Sequence, residues 1–174
     1  MATSNPSPAE APAAPTPRHE KILTINRQIA AIDELIGLAR RTIRVFDADL
    51  SAMGWNGPAR IEKLGTFLHG SRHARLDIIV HDTRYLESRC PRLRQFQRVH
   101  SGAVAIFQSG PTARHALDPM VLIDERHYLH RFHIDHAHAA LGIDDPLQTQ
   151  QLLLRFNDVW ASREGELPAT SLGL

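Results

Sequence analysis

"PMVLIDERHYLHRF", residues 119–132, decides the fold. Its two apolar runs, "PMVLID" and "HYLHRF", are separated only by Glu125 and Arg126. That gap is too short for the crossover between parallel neighbours, so the runs are expected to be the arms of an antiparallel hairpin. Upstream the periodicity alternates. "NRQIAAIDELIGLARR" sets Ile29, Ile32, Leu35, Ile36 and Ala39 on one helical stripe behind a cap at Asn26, and "TIRVFDADL" reads as a strand from Thr42 to Ala48. "NGPARIEKLGTFLHG" predicts a helix from Pro58 to Gly70, and "ARLDIIVHD" a strand covered on both faces. "CPRLRQFQRVHSG" predicts a third helix, with Pro91 in its first turn, and "AVAIFQS" a third strand. Downstream, Asp144, Asp145 and Pro146 open a helix that places Leu153, Phe156 and Trp160 on one stripe. The expected fold class is therefore α/β: a mainly parallel mixed sheet flanked by helices, with a late hairpin and a C-terminal helix.

The chain of 174 residues is of one-domain size. Residues 1–17, "MATSNPSPAEAPAAPTP", carry no large apolar side chain and are expected to be a disordered tail, followed by an α/β domain over 18–162 and a loose tail over 163–174. Lys plus Arg number 20 against 19 Asp plus Glu, so the net charge of +1 predicts no general attraction to nucleic acid or anionic lipid. The one cysteine, Cys90, rules out an internal disulfide and a cysteine-rich metal cluster, and suits a reducing compartment. No stretch approaches the roughly 18 consecutive apolar residues of a membrane span, and the expected localisation is cytoplasmic.

The order of elements, with "ARRTIRVFDADL", "LDIIVHD", "VLIDERHYLHR" and a closing helix containing "FNDVW", resembles one half of a phospholipase D-like domain over about Ile22 to Trp160. It looks most like bacterial members of that superfamily. The resemblance implies a strand carrying His-x-Lys-x-x-x-x-Asp, in which histidine attacks phosphorus, lysine neutralises phosphate oxygens, and two such motifs meet across one site. Here "LDPMVLID" occupies that strand: Asp124 matches the aspartate, while Leu117 stands for the nucleophile and Pro119 for the lysine. Neither can do that chemistry. No shifted register through His115, His127, His130, His133, His136 or His138 restores the motif, and the near match "HEKILTIN", His19 to Asn26, precedes every expected core strand.

Candidates for function cluster nearby. His115 and Asp124 are the remaining catalytic candidates. Arg131, flanked by His130 and His133, is an anion-binding candidate, since a guanidinium pairs with oxyanions bidentately; a salt bridge to Asp124 or Glu125 is the structural alternative. Five of the eleven histidines lie in "HYLHRFHIDHAH", residues 127–138, but alternation on a strand points His127 and His130 to opposite faces. Only His133, His136 and His138 with Asp135 have the spacing to converge on zinc; otherwise no cofactor is expected. Asp47, Asp49 and Asp82 end strands and would make an acidic Mg²⁺ pocket or ordinary turns. Arg84, Arg89, Arg92, Arg94 and Arg98 form a basic surface that suits nucleic acid, an acidic partner, or simply solvent. Two functions remain: a non-catalytic binding or scaffold module that pairs with itself or another protein, or a metal-dependent or rearranged phosphodiester hydrolase using residues 115–138.

Overall fold

The computed structural model describes residues 15–169. Helix α1 (Ile25–Leu38) begins under Thr24, whose hydroxyl accepts from the Arg27 N–H, so the cap lies two residues before Asn26. Strand β2 (Thr42–Asp47), helix α2 (Pro58–His69) and strand β3 (Arg75–Val80) follow as expected. A short helix α3 (Arg84–Arg89) precedes α4 (Pro91–Val99), which leads into β4 (Val104–Ser109). The hairpin is present: β5 (Met120–Ile123) pairs antiparallel with β6 (His127–Arg131), Met120 opposite His130 and Ile123 opposite His127. Asp124 and Glu125 turn the chain with φ of 50° and 59°. Helix α5 (Pro146–Ala161) closes on the Asp145 cap.

Three strands lie outside the expected set: β1 (Arg18–Ile22), β7 (Ala139–Ile143) and β8 (Arg163–Glu166). With them the sheet has eight strands in the order β1-β7-β6-β5-β2-β3-β4-β8. It is mixed and flanked by helices, but only β2–β3–β4 pair in parallel; the other neighbours are antiparallel. The crossover pattern governed the middle of the chain and not the sheet's two outer parts. The expected N-terminal tail lies outside the described residues up to position 14; Pro15–Pro17 lead directly into β1. Residues 163–166, expected to be loose, are held against β4.

Alternation along the strands divides the core in two. Ile43, Val45, Ile78, Ile106, Val121, Leu129 and Leu141 pack with α1, α2 and α4 on one face. Phe46, Ile79, Leu122 and Tyr128 pack with Leu152, Phe156 and Val159 of α5 on the other. Each of these buried side chains stabilises the fold by roughly 1.5–3 kcal/mol relative to exposure. Gly142 on β7 is needed for that packing, because a Cβ there would stand 2.2 Å from the Tyr128 ring. No helix among the described residues is long and apolar enough to cross a membrane.

Candidate functional site

The segment Leu117, Asp118 and Pro119 leads into β5. Two backbone bonds fix it: the Arg131 N–H donates to the Pro119 carbonyl at 2.8 Å, and the Ile134 N–H to the Leu117 carbonyl at 2.8 Å. Pro119 roofs a small cavity on the α1 face, walled also by Gln28, Asp47, Trp55 and Arg131. Its volume is about 20 Å³, which suits a single water molecule and excludes a phosphodiester.

Three polar side chains stand in an otherwise apolar lining. Gln28, Asp47 and Arg131 are all buried. The Gln28 amide donates to the Ala137 carbonyl at 2.5 Å, while its Oε1 and the Trp55 Nε1 are buried and have no partner among the described residues. The Arg60 guanidinium, bonded to Asp33 at 2.8 Å, stacks 5.1 Å from the Trp55 ring and fixes its plane. Asp47 Oδ1 accepts from the Ala48 N–H at 2.6 Å, and burial pushes the carboxyl up to about 6. Arg131 points its Nε at the His136 carbonyl (2.6 Å) and its Nη2 at the Ile134 carbonyl (2.7 Å). The guanidinium therefore ties the 131–136 loop together beside the cavity. It makes neither of the expected ion pairs across the hairpin, and it is not open to an external anion.

The other predicted residues scatter. His130 shares cross-strand rows with Met120 and Ala140 on the α5 face, opposite to Arg131. Its Nε2 lies 3.2 Å from Asp118 Oδ2, and Arg155 clamps the same carboxylate. Against the upward push of burial, those hydrogen bonds hold Asp118 at about 2. Thus His130, Arg131 and His133 do not form one anion site. His127 is buried, accepts from the Asp144 N–H at 2.8 Å and is lowered by desolvation.

Asp124 sits at the far end of β5 from Pro119. Its carboxylate accepts from the N–H groups of Arg40, Arg41 and Thr42 at 2.6, 2.8 and 2.7 Å, so its role is to join the hairpin turn to the start of β2. His115 is exposed in the loop before β5. The two catalytic candidates do not meet.

The zinc set is not assembled either. The His133 Nδ1 accepts from the Asp135 N–H at 3.1 Å, and the His133 and His136 rings are 5.5 Å apart, but Asp135, His136 and His138 face solvent. Among the described residues no group of three or more His, Cys, Asp or Glu side chains is placed to hold a metal. Arg131 explains why: it draws the loop's carbonyls inward. Nor do the three strand-end aspartates form a pocket: Asp47 enters the cavity, Asp49 caps its own turn at Ser51, and Asp82 pairs with Arg84. Cys90 is buried, and desolvation raises its thiol. Sequence reasoning missed Gln28 and Trp55. The available signal was a glutamine one residue before Ile29, inside the apolar stripe of α1.

Among solved structures the fold matches the phospholipase D family member Nuc from Salmonella typhimurium, with a TM-score of 0.60 and 13% identity over 86% of this chain and 97% of that one. NucT from Helicobacter pylori matches with a TM-score of 0.54 and 12% identity, over 86% and 99%. TrmBL2, an archaeal chromatin protein whose structure shows a novel mode of DNA binding, matches with a TM-score of 0.62 and 16% identity over 90% of this chain but only 56% of that one. At such identities the likeness concerns the fold, which is phospholipase D-like. No protein of curated function matches in sequence. Residues 24–167 match the model of a domain of unknown function, DUF7931, and the chain belongs to that family.

Proposed function

We propose that this domain keeps the phospholipase D-like frame without its phosphodiester chemistry and serves as a binding or scaffold module for an anionic ligand. One observation carries the reading. By the resemblance, Leu117 and Pro119 stand where the nucleophile and the lysine would be, and the space under Pro119 is a cavity of about 20 Å³ beside the Arg131 loop. An attacking group and room for phosphorus are thus missing together. A protein partner, either a second copy or another chain, belongs to the same proposal, with Phe132, Leu147 and Leu154 as exposed apolar side chains (54%, 78% and 67%). The net charge of +1 does not favour nucleic acid.

The test is hydrolysis of bis(4-nitrophenyl) phosphate, with and without added Zn²⁺ or Mn²⁺. The expected rate equals that of buffer. Turnover that disappears in His115→Ala or His133→Ala would overturn the reading. Light scattering on the same sample tests self-pairing, for which a mass of twice 19.5 kDa is expected.

A further inference from the structure

A second polar constellation lies at the C-terminal ends of the parallel strands, where open α/β sheets gather ligands. Val80 of β3 is opposite Gln108 of β4, so His81, just past β3, stands beside Ser109, the last residue of β4. The His81 Nδ1 is 2.5 Å from Ser109 Oγ, and its Nε2 is 2.7 Å from the Ala116 carbonyl. A carbonyl only accepts, so Nε2 donates to Ala116, and in a neutral ring Nδ1 accepts from the Ser109 hydroxyl. The serine's hydrogen is committed, while its oxygen lone pairs stay available. Phe46 backs the imidazole edge-on at 5.1 Å.

One imidazole thereby ties both ends of the 109–116 loop. Inside it, the Gly110 N–H donates to the Ser162 carbonyl at 2.9 Å, Ala113 to Gly110 at 3.1 Å and Ala116 to Ala113 at 2.9 Å. Position 110 admits no side chain, because a Cβ would lie 2.4 Å from the Ser162 oxygen. The loop presents Arg114, exposed, with no acceptor for its guanidinium among the described residues. Arg114 lines an open cleft of about 520 Å³ with Gln108, His81, Asp82, Thr83, Arg84 and the largely buried Ser109. Within the cleft, Asp82 engages the Arg84 Nε and Nη2, and Nη1 has no acceptor among the described residues. Leu117 and Pro119 take no part in this cleft.

We infer that the cleft binds a small phosphate monoester that also carries hydroxyl groups. Arg114 and the spare donor of Arg84 match a phosphate of about −1.5 to −2 charge. The Ser109 oxygen accepts from a ligand hydroxyl. A space of this size fits a small molecule, and the held loop lowers the ordering cost of binding. His81 is a positioning residue here. The inference rests on the binding reading above and moves its anion from residues 130–133 to the ends of β3 and β4.

Calorimetric or NMR titration of the full chain tests it with three probes: glycerol 3-phosphate, inorganic phosphate and glycerol. Saturable binding is expected for glycerol 3-phosphate, weaker binding for phosphate and none for glycerol. Arg114→Gln should weaken glycerol 3-phosphate by about tenfold or more, as loss of one charge-assisted pair implies; Arg98→Gln, outside the cleft, should leave it unchanged. His81→Gln should weaken it too, with an altered NMR pattern for residues 110–116. No saturation, or binding indifferent to Arg114→Gln, overturns the inference. So does tighter binding of a single-stranded oligonucleotide, which would assign the arginines to a polymer. Phosphodiester turnover that survives Arg114→Gln would instead sink the non-catalytic reading and leave the cleft standing.

Discussion

The cavity beneath Pro119 and the cleft beside Ser109 lie at the same end of one sheet, and they use arginine in opposite ways. Arg131 is buried, with its donors aimed at two carbonyls of its own loop; Arg114 is exposed, and other groups fix its loop. In the first place the charge organises the chain and is largely buried by it. In the second the chain is organised without the charge, which is left for a ligand. Where a guanidinium's bonds go therefore decides its role, more than the histidines that flank it in sequence.

The comparison breaks most visibly at Arg131. Arg131→Ala leaves the Ile134 and His136 carbonyls and the Asp47 carboxyl without their cation, and the expected loss is about 3 kcal/mol in chemical unfolding. A loss under about 0.5 kcal/mol would show that the loop closes without it.

Asp47 sharpens the same contrast through pH. Burial is the main cause of its rise to about 6 from an ordinary 3.8. Because the folded carboxyl holds its proton longer than the unfolded one, its contribution to stability is complete below about pH 4 and is lost as the pH rises through 6. Two units correspond to at most about 3 kcal/mol. Asp47→Asn should flatten that slope and be the more stable protein at pH 8; parallel pH profiles for the two proteins would refute the buried, ionisable cavity. The smallest effect belongs to the cleft. Arg114→Gln should change unfolding by less than about 0.5 kcal/mol, since an exposed side chain without partners contributes little.

The middle of the fold was readable because helical and alternating periods there coincide with burial: Ile32, Leu35 and Ile36 on α1, and the run Ile78–Val80 on β3, are all nearly inaccessible. The strand β7 was not readable. Its "AALGI" has small residues of low strand propensity, and it is a strand because β6 and β1 pair with it and Tyr128 needs the space over Gly142. At the candidate site, Leu117 and Pro119 were decisive from the sequence alone, but the direction of Arg131 depends on a loop whose carbonyls only the fold locates. His81 and Ser109 carried a weak signal, each standing where a parallel strand ends. Nothing in their spacing, 28 residues apart, announces that one imidazole joins them.

The outermost strands have a further consequence. β1 reads "RHEKI" and β8 "REGE", and of the two only Ile22 is buried. Each ends the sheet with charge where a bare backbone edge would recruit another chain. Behind β1 lies the apolar β7, so cutting the protein after Ile22 would uncover an adhesive strand and turn the sheet into a seed for edge-to-edge aggregation. These polar margins act as guards on the sheet, and any trimmed version of the domain should keep them.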